Sequence, residues 1–233
     1  MIPVAPPLPD IRRDLVRITS DVVSRASAFQ AAILADVNGR RGALHSRIAP
    51  ISSSMKLAGP AITVDVRPGD NLMIHAALAI AQPGDVLVID GKADQTSALM
   101  GAIMMNQAKA IGLAGVVIDG AVRDALELRM LGFPVFATGF NPNGPTKRIS
   151  GRVNWPVSVG GVTVNPGDLV VGDADGVVVI ERDKAASLLE PAASKVVEES
   201  ARIEGILRKE KLRPNWLDDA LHAAGVLQEG CSL

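Results

Sequence analysis

Pro83-Gly84-Asp85-Val86-Leu87-Val88-Ile89-Asp90 is a tight turn followed by a short, almost wholly apolar run. The Pro-Gly-Asp tripeptide breaks whatever precedes it, and an apolar run without polar alternation is what a strand covered on both faces looks like. The segments on either side repeat the theme. Upstream, Ala61 to Val66 has the β-branched alternation of a strand, Pro68-Gly69-Asp70-Asn71 ends it, and a helix is predicted from about Asn71 to Ala81. Downstream, Thr96 to Gly112 reads as a Met- and Ala-rich helix closed by Gly112, and Gly115 to Asp119 as another apolar strand. A helix from about Ala121 to Leu131 ends at Gly132, and Pro134 to Ala137 supplies one more strand. Strand and helix alternate, so the centre of the chain predicts an α/β protein whose largely parallel sheet is covered by helices.

The flanks differ. Met1 to Pro9 reads as an extended, Pro-stiffened arm without the basic and unbroken apolar regions of a secretory signal, and Asp10 to Leu34 carries apolar positions at helical spacing, giving one or two helices. Past Gly139, Gly and Pro punctuate short β-branched runs at Val157 to Val159, Val162 to Val164, Leu169 to Val171 and Val177 to Ile180, a hairpin-like section containing a further Pro-Gly-Asp at Pro166 to Asp168. Asp173, Asp175 and Glu181 around it read as turn and surface residues. Asp183, as N-cap, opens a long helix to about Lys211 that Pro191 kinks or restarts, and Trp216 to Val226 reads as a last short helix. No low-complexity linker intervenes, so residues 1–233 read as one domain, with 183–233 a C-terminal helical extension.

Composition excludes several classes of function. Hydrophobic residues make up 48% and charged residues 21% of 233 residues, and no apolar run approaches the roughly 20 residues of a membrane span. Lys+Arg number 24 against 25 Asp+Glu and aromatics are 3%, so neither a basic surplus nor stacking platforms favour nucleic acid. Cys231, the one cysteine, fits a reducing cytoplasm.

The chemistry is most concentrated at Gly115-Val116-Val117-Ile118-Asp119-Gly120-Ala121-Val122-Arg123-Asp124. In open α/β sheets ligands collect beyond the carboxyl ends of strands, where helix N-termini favour anions. A guanidinium there grips a carboxylate, and an adjacent carboxylate holds a hard divalent cation. The same spacing also suits a plain helix start, with Asp124 at its N-terminus and Arg123 in solvent. Asp94 to Ile103, after the strand ending at Asp90, offers Gly and small residues through which backbone amides approach an oxyanion, though for this segment judged by itself close packing against the sheet is the better explanation. His45, His75 and His222 lack metal-ligand spacing, and His75 reads as a helix-packing residue.

Taken together, Pro68-Gly69-Asp70-Asn71 with Met73-Ile74-His75, the segments Gly84 to Asp90 and Gly115 to Asp124, Gly132-Phe133-Pro134-Val135, Gly144-Pro145-Thr146-Lys147, Val153-Asn154, Val164 to Asp168 and Asp173 to Val177 resemble the RraA-like family from about Ala35 to Leu227. The long helix and Leu212-Arg213-Pro214 are similar to those of its divalent-metal pyruvate aldolases. The resemblance implies an α/β/β sandwich of the swivelling-domain type, assembled as a homotrimer or hexamer with sites between subunits. It implies a lyase that cleaves 4-hydroxy-4-methyl-2-oxoglutarate or 4-carboxy-4-hydroxy-2-oxoadipate to pyruvate and a second keto acid, and that also decarboxylates oxaloacetate. By the same resemblance Arg123 binds the pyruvyl carboxylate, amides from Gly101, Ala102, Ile103 and Met104 hold the pyruvyl group, and Asp124 anchors Mg²⁺ or Mn²⁺. Glu199, or Glu198, of a neighbouring subunit reaches that ion through water.

One position departs from the family pattern. The aldolases carry Asp or Glu immediately after the glycine matching Gly101, where it organises water and proton transfer; this chain has Ala102, with Asp94 or Asn106 as conceivable substitutes. The departure leaves two alternatives, an isomerase or dehydratase enolising a sugar-derived keto acid, or a non-catalytic regulator of an RNA-degrading endonuclease, as RraA is.

Overall fold

The computed structural model describes residues 10–210, 212–228 and 230–233, so the expected arm at residues 1–9 lies outside the described residues. The chain divides into two compact units, residues 1–192 and 193–233. In the first, α1 (Ser20–Ala26), α2 (Ala31–Val37) and β1 (Ala49–Pro50) lead into the alternating centre. This centre comprises β2 (Leu57–Asp65), α3 (Leu72–Ile80), β3 (Val86–Met100), α4 (Ala102–Ile111), β4 (Gly115–Val122), α5 (Ala125–Leu131) and β5 (Val135–Phe140). Then come β6 (Arg152–Val153), β7 (Val157–Val159), β8 (Val162–Val164), β9 (Leu169–Asp173), β10 (Gly176–Ile180), α6 (Arg182–Ala185) and a 3₁₀ turn at Ala186–Leu188. The long helix α7 (Leu189–Leu207) crosses the division in sequence, and the second unit also holds α8 (Leu217–Ala223).

Strands β2 to β5 pair in parallel, in chain order. The antiparallel pair β9–β10 extends the sheet beyond β2, and β1 pairs antiparallel with β5. Alternate residues of β3 explain the layering. Leu87 and Ile89 join Ile62, Val64, Val116 and Ile118 beneath Ile74, Met105 and Leu128 of the covering helices. Val86 and Val88 face the other way, with Val117 and Phe136, against Val157, Val159 and Val164 of the β7–β8 hairpin. The result is helices, sheet and a second β layer, the α/β/β arrangement expected from the family resemblance. Each wholly buried aliphatic side chain contributes about 1.5–3 kcal/mol relative to exposure. A third cluster packs α1, α2 and the start of α7 onto Leu169, Val171, Val178 and Ile180.

The Pro-Gly-Asp turns do more than reverse the chain. Each has Gly at positive φ (Gly69 +70°, Gly84 +88°, Gly167 +87°) and an Asp N–H donating to the carbonyl before the proline, the pattern of a type II turn. All three carboxylates are buried and tie distant segments. Asp85 accepts from Gln82 N and pairs bidentately with Arg17, Asp168 accepts from Asn165 N and Arg182 N, and Asp70 accepts from Leu72 N, Thr146 Oγ1, Arg148 N and Ile149 N.

Several boundaries differ from the sequence reading. The expected helix from Thr96 begins only at Ala102, because Ser97 to Met100 are buried and rejoin β4 after register shifts that leave the stretch from Gly91 bulged. The helix expected from Ala121 begins at Ala125, since Gly120, Ala121 and Val122 still pair with β3 and the last two also with β5. Residues 10–19 are not helical: Ile11 bridges to Val153, and Arg17 is drawn out to Asp85. Glu181, not Asp183, occupies the N-cap of α6, and the restart expected near Pro191 is the 3₁₀ turn before α7. Asp173 is not a surface residue. Its buried carboxylate accepts the N–H of Ala31 at 2.8 Å and so fixes the start of α2.

Candidate active site

Beyond the carboxyl ends of β3 and β4 lies a cavity of about 180 Å³ whose wall includes Asn71, His75, Gly101, Ile103, Met104, Arg123, Asp124, Gly144 and Lys147. The sequence-predicted residues Gly101, Ile103, Met104, Arg123 and Asp124 are thus brought together, with the Ala102 N–H bonded to Asp124 beside them. The cavity is built by chain crossings that each have a local cause. Arg123 N–H donates to Met100 O at 3.0 Å, which fastens the end of β4 to the end of β3. Asp70 holds the backbone of Arg148 and Ile149 and the hydroxyl of Thr146, and so brings Lys147 to the wall. Burial pushes the Asp70 carboxyl upward, but the bonds from Thr146, Arg148, Leu72 and Ile149 together outweigh it and hold its pKa below the ordinary value.

Asp124 sits in the left-handed region (φ 66°, ψ 48°) at the head of α5, yet its side chain makes no cap bond to α5. Its Oδ2 instead accepts the N–H of Ala102, the first residue of α4, at 2.7 Å. The plain helix-start alternative therefore misplaces this carboxylate, which caps the neighbouring helix. With Met105 N–H bonded to Gly101 O, the amides of Ile103 and Met104 have no acceptor among the described residues and remain for an anion at the N-terminus of α4.

Two glycines shape the channel for Arg123. A Cβ on Gly101 would lie 2.5 Å from Asp124 Oδ2 and 2.9 Å from Arg123 Cγ, and one on Gly144 would lie 2.7 Å from Arg123 Nη1. Among the described residues the Arg123 guanidinium makes no ion pair. It is a cation held by packing against Gly101 and Gly144.

Part of the lining comes from the start of α3, whose Asn71 and His75 were not assigned to the site from the sequence. Asn71, buried at the N-cap, donates through Nδ2 to Leu99 O at 3.0 Å, while its Oδ1 has no partner among the described residues. His75, four residues on, lines the same cavity, and its buried Nε2 is also unpartnered. Burial, reinforced by the positive charge of Lys147, lowers the imidazole pKa. The helix-packing role expected for His75 is thus incomplete. The available signal was its place one helical turn after Asn71, on the same face.

The remaining candidates lie elsewhere. Asp94 accepts from Thr96, and Asn106 Nδ2 donates to Ala102 O at 2.8 Å; neither lines the cavity. Glu198 and Glu199 are on α7 in the second unit. Glu199 pairs with Lys195 at 3.0 Å, and Glu198 borders a groove with Arg202, Arg213 and Trp216. No group of three or more His, Cys, Asp or Glu side chains among the described residues forms a ready metal cluster. An ion here would rest on Asp124, whose Oδ1 accepts no hydrogen bond from the described residues, and would complete its shell with water and ligand oxygens. That donor set fits Mg²⁺, which usually keeps several waters.

No helix among the described residues is long and apolar enough to cross a membrane. Residues 19–179 match the RraA-like family model, described as Aldolase/RraA. A protein of Halalkalibacterium halodurans named "Putative 4-hydroxy-4-methyl-2-oxoglutarate aldolase" is 41% identical over 179 residues, 77% of this chain and 85% of that one. Among solved structures, RraAS2 of Streptomyces coelicolor, described as an unusual member of the RNase ES inhibitor RraA protein family, is 31% identical with a TM-score of 0.75, covering 81% of this chain and 99% of that one. The RNA-processing inhibitor RraA of Thermus thermophilis superposes with a TM-score of 0.60 at 31% identity, over 65% of this chain and 92% of its own.

Proposed function

The chain belongs to the RraA-like family, and from that premise we propose that it is a divalent-metal-dependent carbon–carbon lyase. Its substrates in this reading are 4-hydroxy-4-methyl-2-oxoglutarate or 4-carboxy-4-hydroxy-2-oxoadipate, cleaved to pyruvate and a second keto acid, with oxaloacetate decarboxylation alongside. The observation that carries it is the convergence of an Arg123 guanidinium without an ion-pair partner, the Asp124 carboxylate and the acceptor-free amides of Ile103 and Met104 on one cavity.

Arg123 grips the pyruvyl carboxylate, with the head of α4 adding hydrogen-bond donors and a favourable dipole. Asp124 is the residue that would hold Mg²⁺ or Mn²⁺, aided through water by Glu199 or Glu198 of a neighbouring copy. Such an ion, when bound, supplies Lewis-acid stabilisation of charge developing on the 2-keto oxygen. Lys147, in the cavity lining, offers a second cation to a substrate with more than one carboxylate. A homotrimer or hexamer suits the bare apolar side chains of Ile103, Leu126 and Met130, which are 84%, 71% and 87% exposed on α4 and α5.

The test is pyruvate release from both hydroxy-keto acids, and from oxaloacetate, by purified protein with Mg²⁺. EDTA-sensitive turnover of at least one is expected, and none with any of the three sinks the reading. The descriptions of the Streptomyces relative as a member of the RNase ES inhibitor RraA family and of the Thermus relative as an RNA-processing inhibitor favour a second reading, a regulator of an RNA-degrading endonuclease. Stoichiometric capture of such a nuclease by a protein without metal-dependent turnover is the result that reading requires.

A further inference from the structure

Asn71 Oδ1 and His75 Nε2 are two polar atoms, one helical turn apart on the same face of α3, in residues that both line the cavity, and neither has a hydrogen-bond partner among the described residues. A buried polar atom without a partner costs about 1–3 kcal/mol, so two on one wall call for a common explanation. Asn71 is fixed by its own bond: because Nδ2 donates to Leu99 O, the free atom is the acceptor. An imidazole protonated at Nδ1 likewise presents Nε2 as an acceptor. Apart from the Asp124 carboxylate, the other polar groups of the lining are donors, namely Arg123, Lys147 and the amides of Ile103 and Met104. Donors suit carboxylate and keto oxygens. Two adjacent acceptors suit a hydroxyl, and of the two only the imidazole can keep its proton.

We propose that His75 is the proton-transfer residue of this site, accepting through Nε2 the proton of the substrate hydroxyl on the carbon that is released from the pyruvyl half. The role rests on the lyase reading above. The hydroxyl O–H bond breaks as Nε2–H forms, and the oxygen electron pair becomes the carbonyl of the departing keto acid. The carbon–carbon bond breaks with its pair moving into the pyruvyl enolate, and the imidazolium then returns the proton to the enolate carbon, which becomes the methyl of pyruvate. No electron or proton is gained or lost overall. The role also accounts for a site that works with Ala102, where the aldolases carry a carboxylate. The charged groups lining the cavity with His75 are Arg123, Asp124 and Lys147; burial first, and then the charge of Lys147, lower the imidazole pKa, which favours the neutral form that accepts a proton.

The experiment compares wild type, His75→Gln and His75→Ala in pyruvate release from both hydroxy-keto acids with Mg²⁺, across pH, together with oxalate binding by calorimetry. His75→Gln keeps much of the volume and a polar end but cannot carry the proton. It is expected to lower kcat by about 10²–10⁴-fold and to abolish the acidic limb of the kcat profile. Oxalate affinity should stay within about threefold, because oxalate has no hydroxyl to place. Added imidazole should restore part of the turnover of His75→Ala. If wild type turns over and His75→Gln does so within about threefold with the same pH profile, His75 is not the proton carrier and the lyase reading stands. Loss of oxalate binding in both variants, without imidazole rescue, also overturns the proposal, since it marks a structural role. If wild type neither releases pyruvate nor binds oxalate, the lyase reading falls and this role falls with it.

Discussion

The Asp124 Oδ2 accepts the Ala102 N–H at 2.7 Å, so the carboxylate at the head of α5 caps the start of α4. One side chain therefore carries two separable properties, an acceptor that completes a helix and a negative charge that suits a cation. Asp124→Asn retains an acceptor and removes the charge. Its thermal midpoint should stay close to wild type, whereas Asp124→Ala should lose about 1 kcal/mol, the ordinary worth of a cap. Both should lose turnover at low Mg²⁺. An Asp124→Asn protein as active as wild type at low Mg²⁺ removes the residue from metal binding.

Gly101 tests whether the Arg123 channel is shaped for a ligand. Gly101→Ala places a methyl 2.5 Å from Asp124 Oδ2 and 2.9 Å from Arg123 Cγ, and both groups have to move. The φ of Gly101 is −140°, which any residue adopts, so the backbone tolerates the change. The expected outcome is a fold intact by circular dichroism, with kcat/KM lowered by about 10²-fold, the scale of loss from misplacing a catalytic group by about 1 Å. Undiminished oxalate binding and turnover would show that neither side chain needs its present position.

The fold was legible where residues act locally. Val86 to Ile89 announce a strand buried on both faces, and the Pro-Gly-Asp turns announce their own geometry. The bulged end of β3 was not legible, because Thr96 to Met100 look helical in isolation and are strand only through pairing with Ala121 and Val122, a contact between segments distant in sequence. Asp173 looked like a turn residue for the same reason, its partner Ala31 lying 142 residues away. In the site, Arg123 and Asp124 stood out as a charged pair after an apolar strand. Asn71 and His75 did not, because their significance lies in hydrogen bonds left unmade, and only the packed structure reveals that.

Asp70 sets how the site withstands acid. Its pKa is lowered on folding because hydrogen bonds to the carboxylate outweigh burial, so its stabilisation is fully present above the unfolded value, near 3.8, and disappears as pH falls through the folded value. Asp119, also lowered by hydrogen bonds from Arg47 and Gly160 that outweigh its burial, follows the same direction in wild type and variant alike. Asp70→Asn should cost about 2–4 kcal/mol at pH 7, as bonds to a buried charge are exchanged for weaker or unmade ones. The difference from wild type should narrow as pH drops below about 4. Urea unfolding of both proteins across pH measures it, and a gap independent of pH would refute the charged role of Asp70. Because Asp70 holds the loop that carries Lys147, the variant should also raise KM for the longer hydroxy-keto acid substrates more than it raises Kd for oxalate.

Residue 102 decides whether the chain is an aldolase short of one carboxylate or a site rebuilt around His75. Ala102→Asp puts an acid in the first turn of α4, where the helix dipole favours it by about 0.3–1 kcal/mol, but on the residue whose N–H already meets Asp124. Two carboxylates so placed repel unless a divalent cation stands between them, so the variant should bind Mg²⁺ more tightly than wild type in calorimetry. If the missing carboxylate limits proton transfer, retro-aldol turnover should rise by at least about tenfold, within the range of general acid–base groups. If His75 already carries the proton, the gain should be small in an otherwise wild-type chain and large in the His75→Gln background, where the new carboxylate takes over. Pyruvate release by the single and double variants, at matched Mg²⁺ and confirmed oligomeric state, separates the two. A double variant no faster than His75→Gln alone would show that the position beside Gly101 cannot host the proton carrier in this chain.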